Sequence, residues 1–161
     1  MTTRSHGLLD QVAELIRLAK ELPRSSALAT SDSTYIASQL TRHGCVLTCA
    51  ALEQAVIEAG SRYGKRIGND RIAKFIESTL SSGRNPKPDY IAEVLGRFDP
   101  SFAVQINAFM DDNAMTSAVK SIVSNRNRIA HGENVSFGVV ALEQWAKEVR
   151  KLCLEIHRVF Q

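Results

Sequence analysis

The sequence predicts an all-α fold, an up-and-down helical bundle with two long helices and several shorter ones. Two observations carry that expectation. Apolar residues recur at three- and four-residue spacing along nearly the whole chain, and no stretch alternates apolar with polar residues convincingly for more than four positions, so no sheet is expected. Size agrees with one domain spanning 1–161: the chain has 161 residues, 44% of them hydrophobic and 23% charged, which is an ordinary globular composition able to bury a core. No internal repeat or low-complexity tail interrupts it.

Leu8, Leu9, Val12, Leu15, Ile16 and Ala19 form the stripe of a first helix from about residue 6 to Leu22, with Pro23 beyond its end. The polar stretch RSSALATSDS reads as a loop. A long second helix follows from about Thr34 to Arg62 on Ile36, Leu40, Leu47, Leu52, Val56 and Ile57, with Ser31, Asp32 or Ser33 available as its cap. Gly60, Gly64 and Gly68 punctuate its exit, and Asn69 opens a short helix carrying Ile72, Phe75, Ile76 and Leu80. After the turn-rich SSGRNPKPD, Pro88 or Asp89 starts a helix through Ile91, Val94 and Leu95. Asp99-Pro100 places a capping residue before a proline at the first position of the next, which carries Phe102, Ile106, Phe109 and Met110. Asn113 caps a helix with Met115, Ala118, Val119, Ile122 and Val123 on one stripe, and Ser136 caps the last, whose stripe runs from Trp145 through Val149, Leu152 and Ile156 to Phe160.

Charge and cysteine content bound the function. A net charge of +3 is too small a surplus to mark a nucleic-acid binder, so an anionic partner has to be argued from local clusters. No apolar run approaches the ~18 residues of a membrane span, and MTTRSHGLLDQVAEL lacks the apolar stretch of a signal peptide. Cys45, Cys49 and Cys153 are an odd number in a chain that needs no staples, so a cytoplasmic protein with reduced thiols and no membrane partner is expected.

Two imitations of known sites fail on spacing. GSRYGK is one residue too short for a phosphate-binding loop and carries Arg66 where Ser or Thr is required. His43, Cys45 and Cys49 lack a second ligand pair at zinc-like spacing, and small thiols on an apolar helix face read as core. The cations Arg62, Lys65, Arg66, Arg71 and Lys74 bunch where the second helix ends and the third begins; they read as a solvated surface suited to a helix carboxyl end, with phosphate contacts as the alternative.

The segment that stands out is Ser124-Asn125-Arg126-Asn127-Arg128-Ile129-Ala130-His131-Gly132. Gly132 marks a helix stop. Arg126 and His131, five residues apart, are separated by about 140° on a regular helix and converge only if the helix loosens between them or a second copy faces the first. As plain structure, the arginines would favour a helix carboxyl end and His131 would bond a last carbonyl.

Arg126, Asn127 and His131 resemble the R-x4-6-H signature of the HEPN superfamily, an arginine followed by a polar residue and then a histidine, here with the shortest spacing. RNRIAHG is similar to the form found in bacterial members, including those of the RiboL-PSP type. The all-α bundle, the long second helix and the placement of the motif before the last long helix are also similar. The resemblance implies a metal-independent endoribonuclease with no cofactor, in which Arg126, Asn127 and His131 are catalytic. It implies a polar or acidic residue on an earlier helix pointing toward the motif, for which Glu53 is the candidate, with a plain surface glutamate as the alternative; Glu53 and Arg128 are the candidate RNA contacts, Arg128 otherwise facing solvent.

Metal-free cleavage uses the substrate's own 2'-hydroxyl and needs a base, an acid and a cation. Histidine serves as base or acid near neutral pH, and guanidinium matches charge on phosphoryl oxygens. With His6 expected in a flexible start, His43 on the second helix and His157 on the last, each chain offers one motif histidine for two proton transfers. A homodimer resolves that shortage by pairing two motifs across a two-fold axis. The expected function is therefore an RNA-cleaving toxin or phage-defence effector with a possible antitoxin partner. The alternatives are a non-catalytic HEPN module binding nucleotide, RNA or an antitoxin, and a helical interaction protein in which RNRIAH is only a helix end.

Overall fold

A computed structural model describes residues 3–24, 29–82, 85–111 and 113–161. Among these there is no strand, and the chain runs through α1 (Arg4–Glu21), a 3-10 turn (Leu22–Arg24), α2 (Thr30–Ile67), α3 (Asp70–Leu80), α4 (Pro88–Phe98), α5 (Pro100–Met110), α6 (Asn113–Ala130) and α7 (Val139–Val159). The all-α fold, with two longest helices and several shorter ones, is as expected. α2 has 38 residues, α7 has 21, α1 and α6 have 18 each, and α3, α4 and α5 have 11 each. α2 is the spine: α1, α3, α6 and α7 all pack along it, and α4 and α5 pair with each other, α5 also packing on α7 and α4 touching α2 and α6.

Leu9, Val12, Cys45, Leu52, Ile91, Leu95, Ile106, Ile122, Leu142, Leu152 and Ile156 form the buried core, each 2% exposed or less. All three thiols lie free in it, and burial pushes each up to about 12, so they are inert packing groups. His43, by contrast, is exposed and does not join Cys45 and Cys49. No helix of the described residues is long and apolar enough to cross a membrane.

Two helix starts differ from expectation. α2 begins at Thr30 behind Ala29, which makes no side-chain capping bond, so Ser31, Asp32 and Ser33 lie inside its first turn. The hydroxyls of Ser33 and Thr34 instead donate back to the Thr30 carbonyl at 3.0 and 2.8 Å, while Asp32 suits the helix dipole. α7 begins behind Gly138, not Ser136, because the preceding loop is tied to α6 and Phe137 is packed on Trp145 at 5.3 Å between ring centroids. The caps at Asn69 and Asp99 are as expected, accepting from Ile72 and Arg71 and from Ser101 amides. The cap expected of the Asn113 side chain, and most of the expected loop after Arg24, fall outside the described residues.

Gly60 and Gly64 do not end α2; they sit within it, and GSRYGK is helical throughout. A Cβ at Gly64 would lie 2.4 Å from Ile76 Cδ1, and one at Gly60 would lie 3.0 Å from Phe98 and 3.2 Å from Leu80. The glycines are the surface on which α3 lies close against α2, and the helix continues to Ile67 because that packing offsets their low helix propensity, about 1 kcal/mol each.

Candidate functional site

α6 keeps regular bonding to its end. The His131 amide donates to the Asn127 carbonyl at 3.0 Å, after which Gly132 takes φ 72°, and the amides of Gly132 and Glu133 return to the carbonyls of Ile129 and Arg128 at 3.0 and 2.9 Å. That pair of bonds is a Schellman closure, which requires a left-handed residue and hence glycine. Arg128 serves the same closure: its Nε donates to the Glu133 carboxylate at 3.1 Å and its Nη2 to the Asn134 carbonyl. Arg42 of α2 donates to the Glu133 carbonyl at 2.9 Å. The exposed Arg128 is thus a brace between α6 and the loop after it.

Arg126 and Asn127 take no part in that closure. Both are half-buried, and Arg126 Nη1 donates to Asn127 Oδ1 at 3.3 Å. Glu53 on α2 is brought into the field of Arg126. Burial pushes its carboxyl above the usual range, the guanidinium of Arg126 pulls it back, and its Oε1 accepts from the Cys49 thiol at 3.8 Å.

His131 stands exposed at the helix terminus, its amide used and its ring turned to solvent. Because α6 stays regular from Arg126 through Ala130, the five-residue separation keeps its angle of about 140°, and the backbone of one chain does not turn Arg126 and His131 to a common face. The stripe that His131 does share runs back along α6 through Asn127 and Ser124 to Lys120, all within about 60° around the axis. Asn127, Ser124 and Lys120 line an open cleft against the start of α4.

The family model for RiboL-PSP-HEPN matches residues 8–161, nearly the whole chain. The chain belongs to the RiboL-PSP-HEPN family. No curated protein and no solved structure gives a significant match. A HEPN domain is all-α and is RNA-related or nucleolytic in general terms, which agrees with the fold and leaves the chemistry to be argued from residues.

This HEPN domain has a second polar cluster that sequence reasoning missed. Ser5, fully buried, donates to Glu58 Oε2 at 2.7 Å, and the Arg4 amide donates to Glu58 Oε1 at 2.7 Å, so the Glu58 carboxylate closes the start of α1. His157 Nε2 lies 3.4 Å from Ser5 Oγ and 3.7 Å from Glu58 Oε2, and its Nδ1 is buried without a hydrogen-bond partner among the described residues. His6 belongs to the first turn of α1, stacked on His157 at 5.9 Å and bonded to Thr3 at 2.6 Å, and is not in a flexible start. No sequence pattern joins Ser5 to His157, because they meet only through tertiary packing of both chain ends on α2.

The cations Arg62, Lys65, Arg66, Arg71 and Lys74 do not share a region with the motif. Arg66 bonds the carbonyl of Gln161 and lies over Tyr63, so this group gathers beside the carboxyl end of α7, whereas the motif precedes the amino end of that helix. Lys65 pairs with Asp70 at 3.1 Å. Among the described residues, no three His, Cys, Asp or Glu side chains gather where one metal ion would reach them.

Proposed function

We propose that this HEPN domain is a metal-independent endoribonuclease working as a homodimer, in the role of a toxin or phage-defence effector restrained by an antitoxin partner. One observation carries the reading: Gly132 and Arg128 close α6 by themselves, leaving Arg126, Asn127 and His131 with no structural duty at the helix end. A helix terminus alone needs none of those three side chains.

In the proposed reaction a base removes the proton of a ribose 2'-hydroxyl, whose oxygen attacks the adjacent phosphorus. The new bond closes a 2',3'-cyclic phosphate, the bond from phosphorus to the 5'-oxygen breaks, and an acid delivers a proton to that leaving oxygen. His131 of one copy acts as base and His131 of the second as acid, a division of labour that histidine chemistry near neutral pH permits. Arg126 neutralises the charge that builds on the phosphoryl oxygens, and Asn127 orients the phosphate through neutral hydrogen bonds. Glu53, which acts on Arg126 electrostatically from α2 without a direct ion pair among the described residues, biases the position of the guanidinium. The scheme calls for a dimer, because a two-fold axis beside the motif would supply what the angle of about 140° denies one chain, an Arg126 and a His131 on one cleft.

The experiment is incubation of the full chain with mixed RNA in EDTA, beside Arg126→Ala and His131→Ala variants shown to be folded and to have the wild-type oligomeric state. Cleavage by the wild type and its loss in both variants is expected. Cleavage that survives in either variant contradicts the assigned roles, and a wild type that binds RNA without cutting it favours the non-catalytic module.

A further inference from the structure

We infer that the cleft between the start of α4 and the exposed stripe of α6 is a track for the RNA backbone on one side of the scissile bond, with Lys87 and Lys120 as its phosphate contacts. This rests on the ribonuclease reading above. The cleft holds about 370 Å³, and Lys87, Asp89, Lys120, Ser124 and Asn127 form its polar wall.

Position ties the cleft to the motif. Lys120, Ser124, Asn127 and His131 occupy successive turns of one stripe of α6, and the eleven helical steps from Lys120 to His131 span about 16 Å. Phosphates on one strand step by about 3.4 Å along a duplex and by more in an extended strand, so the stripe is longer than one nucleotide. A strand cut at His131 therefore has neighbouring phosphates to place along α6, and Asn127 belongs to both the reacting centre and the track.

The distribution of ammonium groups singles out the same place. The chain has seven lysines. Lys20, Lys65, Lys147 and Lys151 are held in ion pairs with Glu143, Asp70, Glu143 and Glu148. Of the three with no ion pair among the described residues, Lys74 sits on α3, and the other two line this one cleft. Both are exposed and carry no role in the core. An ammonium on a flexible stem is a point-charge phosphate ligand indifferent to base identity. Asp89 on the same wall is the opposing charge and confines a phosphate to the lysine side. With no aromatic ring in the wall among the described residues, there is nothing for a base to stack on, nor the aromatic anchor that centres most protein interfaces, so a sugar-phosphate backbone is the occupant the chemistry favours.

The test is binding and steady-state cleavage of a labelled single-stranded RNA longer than the cleft, across a series of salt concentrations, with the full chain. Lys87→Gln and Lys120→Gln are each expected to lower the slope of log K against log salt by about 1, and together to weaken binding about tenfold and raise KM. Asp89→Asn is expected to act with the opposite sign and tighten binding. Lys147→Gln, which removes a lysine paired with Glu143 at 3.9 Å, controls for loss of charge anywhere. A double lysine variant that binds and cleaves no differently from the Lys147 control overturns the track while the ribonuclease reading stands, since the wild type still cuts. A wild type that neither binds nor cuts RNA overturns both.

Discussion

Helix α7 has a histidine, a glutamate and an arginine near each of its ends, and the two sets are used in opposite ways. At the carboxyl end, His157 is 7% exposed and packed with Ser5 and Glu58, while Arg62 acts on it electrostatically. Beside them Tyr63, Phe98, Phe102 and Phe160 meet edge to face with ring centroids 5.0 to 5.9 Å apart. Before the amino end, His131 is exposed, Arg126 bonds Asn127 at 3.3 Å, and Glu53 on α2 interacts with the arginine electrostatically. The first set is consumed in joining the two chain ends to the spine. The second is held in position by neighbours, Gly132 and Arg128, that do the structural work. Residue type alone does not distinguish a clasp from a proposed reacting centre; which groups remain free after the helix is closed is what sets the two regions apart.

The widest gap between the regions is expected in catalysis. His131→Ala should lower RNA cleavage by about 10²- to 10⁴-fold with an unchanged urea midpoint, because the ring is exposed and braces nothing. Glu58→Ala should do the reverse, costing about 1–3 kcal/mol in urea unfolding by leaving Ser5 and the first amides of α1 unpaired, with kcat retained. Gly132→Ala tests the link between closure and chemistry. A Cβ there meets nothing within 4 Å, so its cost is the left-handed backbone alone, about 1–2 kcal/mol, and cleavage should fall by more than stability because His131 shifts with the last turn.

The smallest effect is one of pH. Burial, then the Arg62 charge, holds His157 below the ordinary imidazole range. The unfolded chain therefore takes up the proton first, so stability should be full above pH about 6.5 and decline as pH falls through the folded value. Thermal melts of His157→Gln should lose that slope, and a wild type whose stability rises on acidification through this window contradicts the clasp.

Much of this was legible from residue order. The stripes of α1, α4, α5, α6 and α7, the caps at Asn69 and Asp99 and the stop at Gly132 are local, set by periodicity and by groups within a turn of each other. The motif was legible for the same reason, since Arg126, Asn127 and His131 share one helix end. Gly60 and Gly64 misread as an exit because their role depends on Ile76 and Phe98 arriving from other helices. Arg128 could not be told from Arg126 by sequence: its task is set by where Glu133 and Asn134 fold back. The Ser5–Glu58–His157 clasp joins residues up to 152 positions apart and left no local trace.

The most direct measurement is the end chemistry of the RNA fragments released in EDTA. The account predicts 2',3'-cyclic phosphate and 5'-hydroxyl ends, and no cutting where the scissile nucleotide carries a 2'-deoxyribose. Fragments with 3'-hydroxyl and 5'-phosphate ends, or continued cutting at the deoxy position, would contradict it.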